Sequence, residues 1–102
     1  MYVSVSRLRV AADRVDELVE AFRSRAGLVD GFSGFRGLEV WHSDRDAEEV
    51  WMVSRWDSRA DFTAYMRSAE HRASHDRISP SLEHAIALER LEHLHGYEVV
   101  AT

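Results

Sequence analysis

The stretch Arg55-Trp56-Asp57-Ser58-Arg59-Ala60-Asp61-Phe62-Thr63-Ala64-Tyr65-Met66-Arg67-Ser68-Ala69-Glu70-His71-Arg72-Ala73-Ser74-His75 decides how the chain folds. It reads as a strand end, a helix cap and a long helix closing on two histidines. Asp57 or Ser58 is the natural N-cap, because a short oxygen-bearing side chain can accept a hydrogen bond from the first free amides, and Asp61 stands at the capping-box position. Phe62, Tyr65, Met66, Ala69 and Ala73 form one apolar stripe, so a single helix is expected to run to about His75.

Working outward, Val50 to Trp56 reads as a strand antiparallel to the aromatic, glycine-punctuated segment Phe32 to Trp41. The polar connection Ser43 to Glu48 is long enough for a hairpin and too short for a parallel crossover. Upstream, Val3 and Val5 alternate with Ser4 and Ser6 in a strand from Tyr2 to Val10. Asp13 can cap a helix from about Arg14, in which Val15, Leu18, Val19, Phe22 and Ala26 recur at helical spacing before Gly27 and Gly31. Downstream, Ser79-Pro80 marks a fresh helix start reaching about Leu88, and Glu92 to Ala101 reads as a closing strand. The order β-α-β-β-α-β is the ferredoxin-like split βαβ arrangement, an α+β fold with an antiparallel sheet and two main helices on one face. The opposite face then needs a cover. A second copy would supply it, making a dimeric α+β barrel.

Composition narrows the function. The 102 residues, 45% apolar and 30% charged, fit one domain spanning 1–102 with a modest core. A core of that size encloses a roomy pocket poorly, which again points to a homodimer. A net charge of -5 with interspersed signs offers no basic stripe for nucleic acid and no anchor for a membrane. No transmembrane-length apolar run occurs, and a cytoplasmic location is expected. Cysteine is absent, which removes disulfides, thiolate metal sites and cysteine nucleophiles. All 13 basic residues are arginine, so no lysine is available for Schiff-base chemistry.

Histidine, tyrosine, carboxylate and hydroxyl groups must carry any reaction. His71 and His75, four residues apart, lie about 40° from one another on a regular helix. They could share a proton or a metal, or one could ligate haem iron through a neutral nitrogen; beside Arg67, Glu70 and Arg72 they also fit a solvated helix edge. His93 and His95 alternate as on one strand face, and an exposed strand edge accounts for them. There is no H-E-x-x-H zinc motif, no G-x-S-x-G nucleophile elbow, and Gly34 and Gly37 do not make a phosphate loop. Trp41, Trp51, Trp56, Phe32, Phe35, Phe62 and Tyr65 suit a core, a dimer interface or the walls around a flat conjugated ligand. Tyr65 and His75 are ten residues apart, roughly 80° short of three full turns, so only a bend in the helix would aim both at one pocket.

The pattern R-W-D-S-R-A-D-F-T-A-Y-M-R-S-A-E-H-R-A-S-H, with Gly31-Phe32-Ser33-Gly34-Phe35-Arg36-Gly37-Leu38-Glu39-Val40 and the closing Tyr97-Glu98-Val99-Val100, resembles the antibiotic biosynthesis monooxygenase superfamily and, within it, the IsdG-like haem-degrading monooxygenases. The resemblance extends from about Tyr2 to Val100. It implies that His75 ligates haem iron. Tyr65 stands where the subgroup carries the tryptophan that ruffles the porphyrin, and Ser6 stands where it carries an asparagine near the bound ligand. Phe22 and Arg25 match positions that line the pocket or face the haem propionates. The implied reaction uses haem as substrate and cofactor, dioxygen as co-substrate and an external electron donor, and yields iron and a linear tetrapyrrole. The alternatives are a cofactor-free superfamily monooxygenase oxidising a phenolic or polyketide substrate to a quinone, and a non-catalytic dimer that binds haem or another flat aromatic molecule.

Overall fold

The computed structural model describes residues 1–24, 29–69, 71, 81, 87–88 and 94–102. Strand β1 (Tyr2–Arg9) leads through a 3-10 turn (Ala12–Arg14) into helix α1 (Val15–Arg23), and β2 (Phe35–His42) and β3 (Glu49–Trp56) form the expected hairpin. Helix α2 (Arg59–Met66) follows, then the short β4 (Ala87–Leu88) and the closing β5 (Leu94–Glu98). The sheet runs β2-β3-β1-β4, with β5 also paired to β1. Every pairing is antiparallel. Consequently β1 is parallel to β2 with β3 between them, and β3 is parallel to β5 with β1 between them, which is the split βαβ architecture twice interleaved.

Directly opposed residues of an antiparallel pair share a face. Tyr2, Ser4, Ser6 and Leu8 of β1 therefore point the same way as Trp56, Ser54, Met52 and Val50 of β3. The helices pack on that face in two clusters. Val15 and Leu18 of α1 bury Leu8, Val10 and Val50, while Tyr65 of α2 joins Val29 and Trp56 with Tyr2, Phe32, Phe35 and Phe62 around them. Full burial of a side chain such as Leu18 stabilises by about 1.5–3 kcal/mol.

Local details depart from the sequence expectations for identifiable reasons. Asp13 does not cap α1: the 3-10 turn precedes it, and neither element receives a side-chain cap. The strand expected from Phe32 begins at Phe35, because Phe32 and Phe35 donate their amides to Val29 and Phe32 carbonyls in successive turns. The single helix expected to reach His75 stops at Met66. There the Ser68 hydroxyl donates to the Tyr65 carbonyl (2.6 Å) and accepts from the His71 amide (3.1 Å), so that it competes with the helical hydrogen bonding just past the end of α2. Of the helix expected from Ser79-Pro80 to about Leu88, the last two residues are strand instead, Ala87 and Leu88 pairing with Arg9 and Leu8, and the rest apart from Ser81 lies outside the described residues.

Candidate active site

The start of α2 is held from three directions. Ser58 is its N-cap, accepting from the Asp61 amide (3.2 Å) and donating its hydroxyl to Asp61 Oδ2 (2.9 Å). The Asp61 carboxyl lies against Gly34, whose φ of +81° and missing side chain admit it. The Asp57 amide donates to the Gly34 carbonyl (2.8 Å), and Arg36 grips the Asp57 carboxylate through Nε (2.5 Å) and Nη2 (3.1 Å). That hydrogen bond, aided by the guanidinium charge, holds Asp57 below the usual carboxylate range. The glycine-rich opening of β2 thus fixes where α2 begins.

This anchoring places Tyr65 in an aromatic box. Its ring centroid lies 5.2 Å from each of Trp56, Phe32 and His71. Trp56, 1% exposed, donates its indole N–H to Ser54 Oγ (2.9 Å). Phe22 sits at the other end, packed against the aliphatic cluster of α1.

Between the two clusters runs a polar strip. Along β1, Tyr2 belongs to the aromatic cluster and Leu8 to the aliphatic one, a span of about 20 Å at strand rise, and Ser4 and Ser6 occupy the interval. Both serines are buried. Met52 lies directly opposite Ser6 and Ser54 directly opposite Ser4, with Val40 and Leu38 next across the sheet. On β3, Val50 and Trp56 are sealed, whereas Met52 and Ser54 between them are only half-buried. The helices thus cover the two ends of this face, and the middle is a floor of hydroxyl, thioether and aliphatic groups. The Ser54 hydroxyl is occupied by Trp56; those of Ser4 and Ser6 are not engaged by a neighbouring described side chain. Neither serine oxygen is among the fully enclosed polar atoms that lack a partner, so both hydroxyls stay within reach of a ligand or a water in this strip.

Of the residues singled out from the sequence, Ser6, Tyr65 and Phe22 all lie on the helix-covered side, with Ser6 between the clusters that hold the other two. His75 and Arg25 lie outside the described residues, as do His84 and His93. His71 makes the ring contact with Tyr65. His95 lies exposed opposite Val5, and His42 bonds the Ala47 carbonyl at 3.0 Å in the hairpin. Met52 and Ser4 carry no site role in the sequence pattern beyond their places in strands; the period-two alternation puts Ser4 on the face of Ser6, whereas placing Met52 beside Ser6 takes the register. Among the described residues no group of three histidines or carboxylates could hold a metal, and no helix is long and apolar enough to cross a membrane.

Residues 1–77 match the antibiotic biosynthesis monooxygenase family. The chain belongs to that family. Among curated relatives, it is 26% identical over 83 residues to a staphylobilin-producing heme oxygenase of Staphylococcus epidermidis, covering 79% of each chain. It is 29% identical over 79 residues to a heme-degrading monooxygenase of Halalkalibacterium halodurans, covering 76% of this chain and 67% of that one. Among solved structures, the heme-degrader MhuD of Mycobacterium tuberculosis, determined with two hemes in its active site, superposes with a TM-score of 0.79 at 22% identity, over 100% of this chain and 98% of that one. At that identity the likeness carries the fold, and it agrees with the family and with the ferredoxin-like α+β architecture.

Proposed function

We propose that this family member is a haem-binding monooxygenase that opens the porphyrin ring oxidatively, releasing iron and a linear tetrapyrrole. The observation that supports this most is the floor between α1 and α2, where the hydroxyls of Ser4, Ser6 and Ser54 stand among thioether and aliphatic groups, with the aromatic cluster at one end. A porphyrin needs flat apolar walls with few polar groups, and these residues fit it. The relatives with haem-degrading names point the same way.

When bound, haem supplies the redox chemistry and the activation of dioxygen, with an external donor providing electrons. The chain's own residues bind and orient. His75 would hold the iron through a neutral ring nitrogen, and Arg25 would face the propionates. Ser6 offers a hydroxyl donor from the floor, shorter in reach than an asparagine amide. Tyr65, locked by Trp56 and Phe32, gives a rigid wall and keeps water from the ring, and Phe22 lines the α1 side.

The working unit in this reading is a cytoplasmic homodimer of one domain, residues 1–102. Its support is the sheet face away from the helices, where Val3, Val5, Trp51 and Tyr97 lie together and Trp41 and Tyr97 are 48% and 55% exposed. A second copy would cover that surface.

Hemin titration tests the assignment. The expected result is a Soret shift that survives His71→Ala, disappears with His75→Ala, and is followed by loss of the Soret band when ascorbate is added in air. No Soret shift, together with oxygen uptake on a quinol substrate, would assign the cofactor-free reaction instead. A Soret band that persists after ascorbate would make the protein a haem-binding dimer without ring opening.

A further inference from the structure

We propose that Met52 is a modification site: the oxygen chemistry of the pocket converts its thioether to methionine sulfoxide. This rests on the haem-monooxygenase reading above and adds a target that the reading does not contain.

The placement of Met52 is the argument. It is the direct cross-strand partner of Ser6 and shares its face. Opposed residues of this kind have Cβ atoms about 4.5–5.5 Å apart, within reach of a flexible methionine. Its neighbours on the same face of β3, Val50 and Trp56, are sealed at 0% and 1% exposure by the two helix-bound clusters, but Met52 belongs to neither cluster and stays half-buried. The side chain therefore lines the floor beside Ser6, whose hydroxyl the haem reading sets near the bound ligand. Thioether sulfur is the most readily oxidised group on that floor, whose other described members are hydroxyl and aliphatic groups.

The step balances with dioxygen and a two-electron reductant. One oxygen atom forms a bond to Met52 Sδ, the other leaves as water after taking up two protons, and the reductant supplies two electrons. The sulfur is oxidised and the O–O bond is broken. The product replaces an apolar, weakly accepting sulfur with a strongly accepting sulfoxide next to the Ser6 hydroxyl. Ser6 then has a fixed partner inside the protein, and its donor is drawn away from the ligand. Turnover in this way limits itself, and a thiol-dependent methionine sulfoxide reductase would restore it.

The chain carries its own controls, since its three methionines include Met1 and Met66, 50% and 39% exposed. A free oxidant reaches those two first. The whole protein is incubated with hemin and ascorbate in air, with catalase present, then digested, and the three methionine peptides are weighed. The expected result is a one-oxygen gain on Met52 at least tenfold more frequent than on Met1 or Met66. Hydrogen peroxide without hemin should reverse that order. Met52→Leu, which conserves volume, should raise the haem consumed per chain. Haem consumption without preferential oxidation of Met52 overturns the inference and leaves the haem reading standing. Suppression of the mark by catalase also overturns it, because the oxidant is then free peroxide. Failure of hemin to shift the Soret band removes the haem reading and this inference with it.

Discussion

Replacing Gly34 by alanine tests how the opening of β2 controls the start of α2. Gly34 sits at φ +81°, and an added Cβ would meet the Asp61 carboxyl carbon and Oδ2 as well as its Cβ, the last at 2.7 Å. The backbone conformation alone costs an L-residue about 1–2 kcal/mol. Displacing Asp61 also pulls its amide from Ser58 Oγ and its carboxylate from the Ser58 hydroxyl, and loss of such a cap costs about 0.5–2 kcal/mol. The expected loss is about 1.5–4 kcal/mol, a large share of the ~5–15 kcal/mol that stabilises a typical domain. Urea unfolding followed by tryptophan fluorescence reads it, because buried Trp56 packs 5.8 Å from Phe62 of α2. In an Asp61→Gly background the side-chain collision is gone, so the same substitution should cost only the backbone share of about 1–2 kcal/mol. A loss below about 1 kcal/mol, or an equal loss in both backgrounds, would refute the reasoning.

Tyr65→Trp, which restores the subgroup's residue, should overpack a ring already 5.2 Å from three neighbours and lower stability by about 1–3 kcal/mol in the same urea assay. Ser54→Ala leaves the buried Trp56 indole N–H without its acceptor, so a loss of about 1–3 kcal/mol and altered near-UV dichroism are expected. Asp57 is held low by Arg36, so its stabilising contribution is present above the ordinary unfolded value of about 3.9 and fades as pH falls through the lower folded value. Urea midpoints measured across acid pH should therefore fall less steeply for Asp57→Asn than for the parent protein, by a small amount because the pair lies exposed at the surface and is screened by solvent.

The element order was legible in the sequence because each signal was local. The polar Ser43–Glu48 connection dictated a hairpin, the Ser58–Asp61 spacing announced a capped helix, and the run of Val3 and Val5 between serines announced a strand; all three stand in the structure. Helix length was misread because the stripe Phe62, Tyr65, Met66, Ala69 and Ala73 satisfies helical spacing throughout, while the interruption depends on a single hydroxyl. Ser68 can bond backward to Tyr65 and forward to His71 only once the chain has already turned there. Periodicity does not register that competition.

Sequence by itself thus determined the fold class, the family and the identity of the histidines and hydroxyls available for chemistry. Pattern and residue type settle these, since a period of two or of 3.6 needs only near neighbours. Tertiary structure decided which of those residues meet. Pairing of β1 with β3 set Met52 beside Ser6 and Ser54 beside Ser4, and the separation of two hydrophobic clusters left that strip between them. Cross-strand register joins residues 46 positions apart, as with Ser6 and Met52, and it is fixed by burial of whole faces rather than by any local preference of either residue.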